Sequence, residues 1–148
     1  MKIYIAADHN GFELRKTLAK YLANNGHTVI ETGDTEYDPV DDYPVIAKRL
    51  AVEMLAGKDK HARGILICGS GQGVCIAANR SRGIRALLGY DNESVRSARN
   101  DDDANVLCLP ARTISNSVAI SLVNTFLNTE FAEAPRFIRR RNELDNLD

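Results

Sequence analysis

Short apolar runs alternate with helix-period patterns along almost the whole chain. Lys2–Ala7 reads as a strand, after which Phe12, Leu14, Leu18, Tyr21 and Leu22 recur at helical spacing until Asn24-Asn25-Gly26 stops them. His27–Glu31 reads as a second strand, closed by Thr32-Gly33-Asp34. A polar loop through Asp38-Pro39 and Asp41-Asp42 then leads to a helix marked by Val45, Ile46, Leu50, Val52, Met54 and Leu55. Gly64–Cys68 is the most apolar run and is expected at the centre of a sheet. It feeds Gly69-Ser70-Gly71-Gln72-Gly73 and a helix over Val74–Arg80. The pattern continues with a strand at Ile84–Leu88, a helix at Glu93–Arg99 and a strand at Asn105–Leu109. A long helix over Ser115–Leu127 follows, then a charged one over 135–147, whose Pro135 suits a first turn.

Strands apolar on both faces, alternating with helices, require a parallel sheet covered on each side. Right-handed crossovers make that a three-layer α/β/α, Rossmann-like, doubly wound sheet of about five strands. No stretch reads as a linker, repeat or low-complexity tract, so 1–148 is expected to be a single domain. In such sheets ligands bind beyond the carboxyl ends of the strands. That rule gathers Ala7-Asp8-His9, Cys68-Gly69-Ser70 and Pro110-Ala111-Arg112 onto one rim.

Composition narrows the setting more than the function. The 148 residues carry 19 basic and 20 acidic side chains, a net charge of -1, which disfavours nucleic-acid binding through a global basic field. No apolar run approaches a membrane span, and the opening MKIYIAADHN enters a strand rather than a signal peptide. Three cysteines, an odd number without paired spacing, suit free thiols in a reducing, cytoplasmic setting. They and the three scattered histidines offer no metal-ligand spacing, so no metal is expected.

The sharpest chemical signal is Cys68-Gly69-Ser70-Gly71-Gln72-Gly73. Alternate glycines let the backbone turn tightly and aim several N–H groups at one spot, and the following helix adds its positive end. The loop is not a P-loop, since no Gly-Lys-Ser/Thr follows, nor does it have dinucleotide G-x-G-x-x-G spacing. A plain strand-to-helix turn needs one or two such glycines, not three. Cys68 ends its strand where a helix N-terminus favours a thiolate as base or nucleophile. Cys75 and Cys108 read as small core residues. Asp8-His9 ends the first strand on the same rim, a pair suited to orienting a sugar hydroxyl and donating to a phosphate. His27 and His61 read as surface residues. Arg136, Arg139, Arg140 and Arg141 form the basic cluster. Such runs are usually solvated, yet Arg136 and Arg140 share a helix face at a spacing that grips one phosphate. Arg112, just past the fifth strand, is placed to join them.

Together these residues resemble the type B ribose-5-phosphate isomerases, a family that also contains galactose-6-phosphate and allose-6-phosphate isomerases. The resemblance runs nearly end to end, through ADHNGFELR, DYP, GILICGSGQGVCIAANR, GIRA, NVL-x-LPAR and the final arginines. It implies an aldose–ketose isomerase that uses no metal or organic cofactor. By that resemblance Cys68 is the base that moves a proton between C1 and C2. Ser70 and the amides of Gly69, Gly71 and Gly73 would hold the enediolate, and Asp8, Tyr43 and Asn79 would lie about the sugar hydroxyls. His9, Arg112, Arg136 and Arg140 match positions expected to bind phosphate. Members of the family are dimers or tetramers with shared sites. A homodimer or homotetramer is therefore implied, with the helix over 135–147 at the subunit interface.

Two departures bear on the substrate. Where the family reads His-Asn-Asp/Asn-x-Asn, this chain has Asp101-Asp102-Asp103-Ala104-Asn105. Asp101 takes the place of a ring-opening histidine, while Asn105 keeps the asparagine that ends the motif among the substrate-binding positions. A carboxylate serves as that acid only if its pKa is raised; a solvated helix end is the competing reading of three acids. In place of the closing Gly-Gly-Arg-His-x-x-Arg the chain has Glu133-Ala134-Pro135-Arg136-Phe137-Ile138-Arg139-Arg140, where Phe137 is placed to shrink or dry the pocket. Ribose 5-phosphate is the leading expectation. A six-carbon aldose 6-phosphate (allose or galactose 6-phosphate) and a non-catalytic sugar-phosphate sensor compete with it.

Overall fold

The alternation read from the pattern is the order observed. The structure is a computed structural model that describes residues 1–147. The elements run β1 (Lys2–Ala7), α1 (Phe12–Asn24), β2 (Thr28–Glu31), α2 (Tyr43–Ala56), β3 (Arg63–Cys68), α3 (Gln72–Ala78), β4 (Ala86–Leu88), α4 (Asn92–Asp102), β5 (Val106–Pro110), α5 (Asn116–Asn128) and α6 (Pro135–Leu144). The five strands are parallel in the order β2-β1-β3-β5-β4, which puts the apolar β3 at the centre.

Why the strands lack polar alternation is plain from their two faces. Ile3, Ile5, Ile65, Ile67, Leu107 and Leu109 pack with Leu14, Leu18 and Leu22 of α1 and Leu122, Val123 and Phe126 of α5. Tyr4, Ala6, Leu66, Cys68, Val106 and Cys108 point the other way, onto Ile46, Leu50 and Met54 of α2 and Val74 and Ala78 of α3. Each such Leu or Ile, fully withdrawn from water, contributes about 1.5–3 kcal/mol. Capping fixes where helices begin. Asp91 accepts from the Ser94 N–H at 2.7 Å at the start of α4, and Ser115 accepts from the Val118 N–H at 3.3 Å at the start of α5. None of the described helices is long and apolar enough to cross a membrane.

Element boundaries differ from expectation by a few residues, at β4 and α4 for a plain physical reason. β4 begins at Ala86 rather than Ile84, because the Arg85 N–H donates to the side chain of Asn105 (2.8 Å) instead of to a ladder carbonyl. α4 runs on through Asp101 and Asp102 to Asp103, whose left-handed backbone (φ 50°) ends it. There the Asp103 carboxylate meets Arg99 at 2.8 Å and Arg85 at 3.1 Å, with Arg141 of α6 at 3.6 Å. α6 is thereby tied to the amino-terminal end of the sheet, opposite the strand ends that carry the glycine loop.

Candidate active site

β1, β3 and β5 end side by side, and their following segments are stitched together by backbone hydrogen bonds. The Asp8 N–H donates to the Ile67 carbonyl at 3.0 Å, while those of Ala111 and Arg112 donate to Cys68 and Gly69 at 2.9 and 3.0 Å. The expected rim is therefore present. Cys68 is buried at the end of β3, and its Sγ accepts from the Gly71 N–H at 3.2 Å. The Gly71 amide is thus spent on the sulfur rather than left open for an oxyanion. Ser70 Oγ accepts from the Gln72 N–H at 3.3 Å, which bends the loop into α3.

Gly71 has to be glycine. Its backbone is left-handed (φ 72°), and an added Cβ would lie 2.5 Å from the Leu88 side chain. The first hydrogen bond of α3 runs from the Cys75 N–H to the Gly71 carbonyl at 3.3 Å. The amides of Gly73 and Val74 thus precede it and are left as donors at the helix start. Tyr43, at the start of α2, comes so close to Gly73 that a Cβ there would lie 2.7 Å from the ring. Its half-exposed ring flanks the loop.

Beside the thiol lies a polar network. The buried Asp8 carboxylate accepts from the N–H groups of Asn10 and Gly11 at 2.9 and 3.2 Å. Arg112 donates to Asn10 Oδ1 at 2.9 Å, and Asn10 Nδ2 lies 3.0 Å from His9 Nε2. On the other side of the ring, His9 Nδ1 is 2.6 Å from Asp41 Oδ1, which also accepts the His9 N–H at 3.2 Å. That hydrogen bond raises the His9 pKa above the usual histidine value. The charges of Asp8 and Asp41 add to the rise, while burial and Arg112 oppose it. Asp41 did not emerge from the sequence reading, where it was one acid in a polar loop. Asp8, His9 and Asp41 also bring one ligand atom each to within 4.8 Å of one another. The amides of Asn10 and Gly11 and the His9–Asp41 contact already occupy those atoms.

The remaining predicted site residues lie elsewhere in the chain. Asn105 precedes β5, and its carbonyl accepts from the Gly64 N–H at 2.9 Å, about 13 Å of strand rise from Cys68. Both ends of its amide hold the segment before β4, accepting from the Arg85 N–H and donating to the Gly83 carbonyl, each at 2.8 Å. Asn79, at the far end of α3, likewise uses its amide on the N–H (2.8 Å) and carbonyl (2.9 Å) of Ala86. Neither amide is turned toward Cys68; both join elements.

Asp101 lies near the end of α4, and Arg136 and Arg140 lie on α6, which packs against α4 and away from the strand ends that carry Arg112. Asp101 accepts from the side chain of Asn100 at 2.7 Å. It is Asp102 whose pKa is raised, by burial first and then by the charge of Asp101, against the opposing pull of Arg140. Phe137 is buried under α6, with the Arg136 guanidinium 4.4 Å above its ring. It anchors that helix.

Known proteins resemble the chain along nearly its whole length. The profile of the ribose/galactose isomerase family matches residues 3–144. A probable ribose-5-phosphate isomerase B of Mycoplasma pneumoniae is 47% identical over 129 residues, 87% of this chain and 84% of the relative. A D-erythrulose-4-phosphate isomerase of Pectobacterium atrosepticum is 40% identical over 134 residues, covering 88% and 85% of the two chains. The crystal structure of ribose-5-phosphate isomerase B from Mycoplasma genitalium with bound ribulose-5-phosphate superposes with a TM-score of 0.91 at 38% identity, over 97% of this chain and 93% of that one.

Proposed function

The chain belongs to the ribose/galactose isomerase family, and from that premise we propose that it interconverts ribose 5-phosphate and ribulose 5-phosphate. The observation that carries this reading is the placement of Cys68. Its sulfur lies at the end of the central strand, held by the Gly71 amide and flanked by a network containing His9 and Arg112. The Cys68 thiolate takes the C2 proton of the open-chain aldose, and the electron pair moves through C1 onto O1. The resulting enediolate is met by Ser70 and the free amides at the start of α3. C1 then takes the proton back while the O2 hydroxyl proton passes to O1, which yields the ketose. His9 and Arg112 bind the phosphate, and that remote binding energy orients the reacting carbons.

The working unit is at least a homodimer. Asp101, Arg136 and Arg140 sit together at the end of the chain remote from Cys68, where they serve the rim of a partner copy. Tyr43, Val45, Val52, Leu55 and Ile76 leave apolar surface exposed on α2 and α3, in keeping with such pairing. Three free cysteines suit a cytoplasmic enzyme of carbohydrate metabolism.

Incubating the purified protein with ribose 5-phosphate and following ribulose 5-phosphate is the direct test. Allose 6-phosphate and erythrulose 4-phosphate serve as competing substrates; faster turnover of either would displace ribose 5-phosphate as the preferred one. Shared sites have their own signature. Cys68→Ala and Arg140→Ala proteins, each inactive alone, are expected to recover about a quarter of normal activity after subunit exchange. Random pairing makes half the dimers mixed, each with one intact site; no recovery would place Arg140 in its own subunit's site or outside any. Asp101→Asn is expected to slow turnover of cyclic ribose 5-phosphate about a hundredfold, the lower end of acid–base assistance. An unchanged rate would leave ring opening to solution.

A further inference from the structure

The loop between β2 and α2 runs over the catalytic rim and is fastened at three points. Arg15, buried in the first turns of α1, donates to the Asp34 carbonyl at 2.7 Å. Tyr37 sets its ring edge-on to Phe12 at 5.7 Å. The third point is Asp41, whose carboxylate reaches back 32 residues to both the backbone N–H and the ring Nδ1 of His9.

We propose that Asp41 is a positioning residue of the phosphate subsite: its carboxylate fixes the His9 ring so that Nε2, beside Asn10 and Arg112, faces the ligand. This rests on the assignment of His9 and Arg112 to the substrate phosphate. The geometry does more than restrain a loop. One carboxylate oxygen accepts from both the backbone and the side chain of His9, so it sets the ring's rotation as well as which nitrogen carries the proton. The other face of the ring meets Asn10, which Arg112 in turn holds through its Oδ1. A phosphate approaching Arg112 therefore finds the guanidinium and the imidazole already oriented, and with the ring protonated Nε2–H donates to it in place of accepting from the Asn10 amide. It does not have to freeze them on binding.

The charges facing His9 are Asp8 from the end of β1, Asp41 from the β2–α2 loop and Arg112 from beyond β5. Two anions against one cation, with the Asp41 hydrogen bond foremost, favour the imidazolium. A protonated His9 attracts the phosphate below its pKa, and this attraction fades as pH rises through that point. Asp41 moves the point upward, so phosphate affinity persists to higher pH than an ordinary histidine would allow.

The test compares Asp41→Asn, Asp41→Ala, His9→Ala and the double variant His9→Ala/Asp41→Ala in the full-length protein. The readouts are kcat, KM for ribose 5-phosphate and competitive inhibition by inorganic phosphate, across pH. Asp41→Ala is expected to raise KM and the phosphate inhibition constant about tenfold near neutrality, with kcat changed by less than about threefold. Asp41→Asn keeps an acceptor for Nδ1–H, so it loses less, but the pH at which phosphate affinity falls moves lower. The double variant is expected to match His9→Ala alone, since Asp41 acts only through the ring.

Unmoved phosphate inhibition and an unmoved pH profile in Asp41→Ala would overturn the role of Asp41. So would a loss that persists undiminished when His9 is already absent. If His9→Ala itself leaves phosphate affinity intact, the phosphate assignment fails and takes this inference with it. If His9→Ala weakens phosphate binding and Asp41→Ala does not, the assignment stands and only the positioning role fails. Thermal unfolding of Asp41→Asn checks that the loop change has not loosened the fold.

Discussion

Cys68→Ala is expected to abolish isomerisation, with a loss of about a thousandfold or more, while ribose 5-phosphate still binds. General acid–base groups contribute roughly 10²–10⁴ in rate, and a sole base at the reacting carbon lies toward the upper end. Among the described residues nothing nearby replaces it: the Cys75 and Cys108 thiols lie along α3 and within β5, and Asp8 is committed to the amides of Asn10 and Gly11. The fold should tolerate the change. Removing one buried sulfur beside Val74 leaves a small cavity, at a cost of about 1 kcal/mol. Binding measured by calorimetry should survive, because His9 and Arg112 are untouched. Solvent-deuterium exchange into C2 of ribose 5-phosphate should vanish together with turnover. Retention of either would remove Cys68 as the base.

The sheet and the rim were legible because their signals are local. β3 is apolar from Gly64 to Cys68, and three alternating glycines follow it at once, so strand, turn and helix start are all encoded within a dozen positions. Asp41 was not legible, because its contact with His9 spans 32 residues and depends on the path of a loop without periodicity. Asn79 and Asn105 show what a motif leaves open. Their places in a family motif pointed to substrate, yet each amide is taken up by backbone groups around β4. An asparagine carries two kinds of hydrogen-bonding partner, and sequence does not say whether the backbone or a ligand supplies them. The acids at 101–103 divide in a way no spacing announces. Asp101 accepts from the side chain of its neighbour Asn100, Asp102 is pushed toward protonation by burial, and Asp103 is the centre of an arginine cluster.

That cluster supports the second large effect: Asp103→Asn is expected to lower stability by about 3 kcal/mol, toward the lower end of the cost of breaking a buried ion pair. Asparagine tolerates the left-handed backbone at this position (φ 50°), so the substitution removes charge and leaves the turn in place. Three guanidiniums then face a neutral amide. Arg99 suffers most, because it is 2% exposed and its Asp103 contact of 2.8 Å is its only ion pair among the described residues. Its remaining bonds, to the carbonyls of Ala104 and Thr129, cannot neutralise it. For a chain of this length the loss corresponds to a fall in Tm of about 6–12 °C, read by thermal unfolding. Asp145→Asn is the control. Among the described residues the Asp145 carboxylate pairs with Arg85 alone, and it is a third exposed, so its loss should cost under about 1 kcal/mol. The same hub reaches activity through α6. Arg141 ties that helix to Asp103, and Arg136 and Arg140 ride on it. Asp103→Asn should therefore raise KM for ribose 5-phosphate more than it lowers kcat, at temperatures where the variant is still folded. Equal stability losses in Asp103→Asn and Asp145→Asn would show that Arg99 finds its compensation elsewhere.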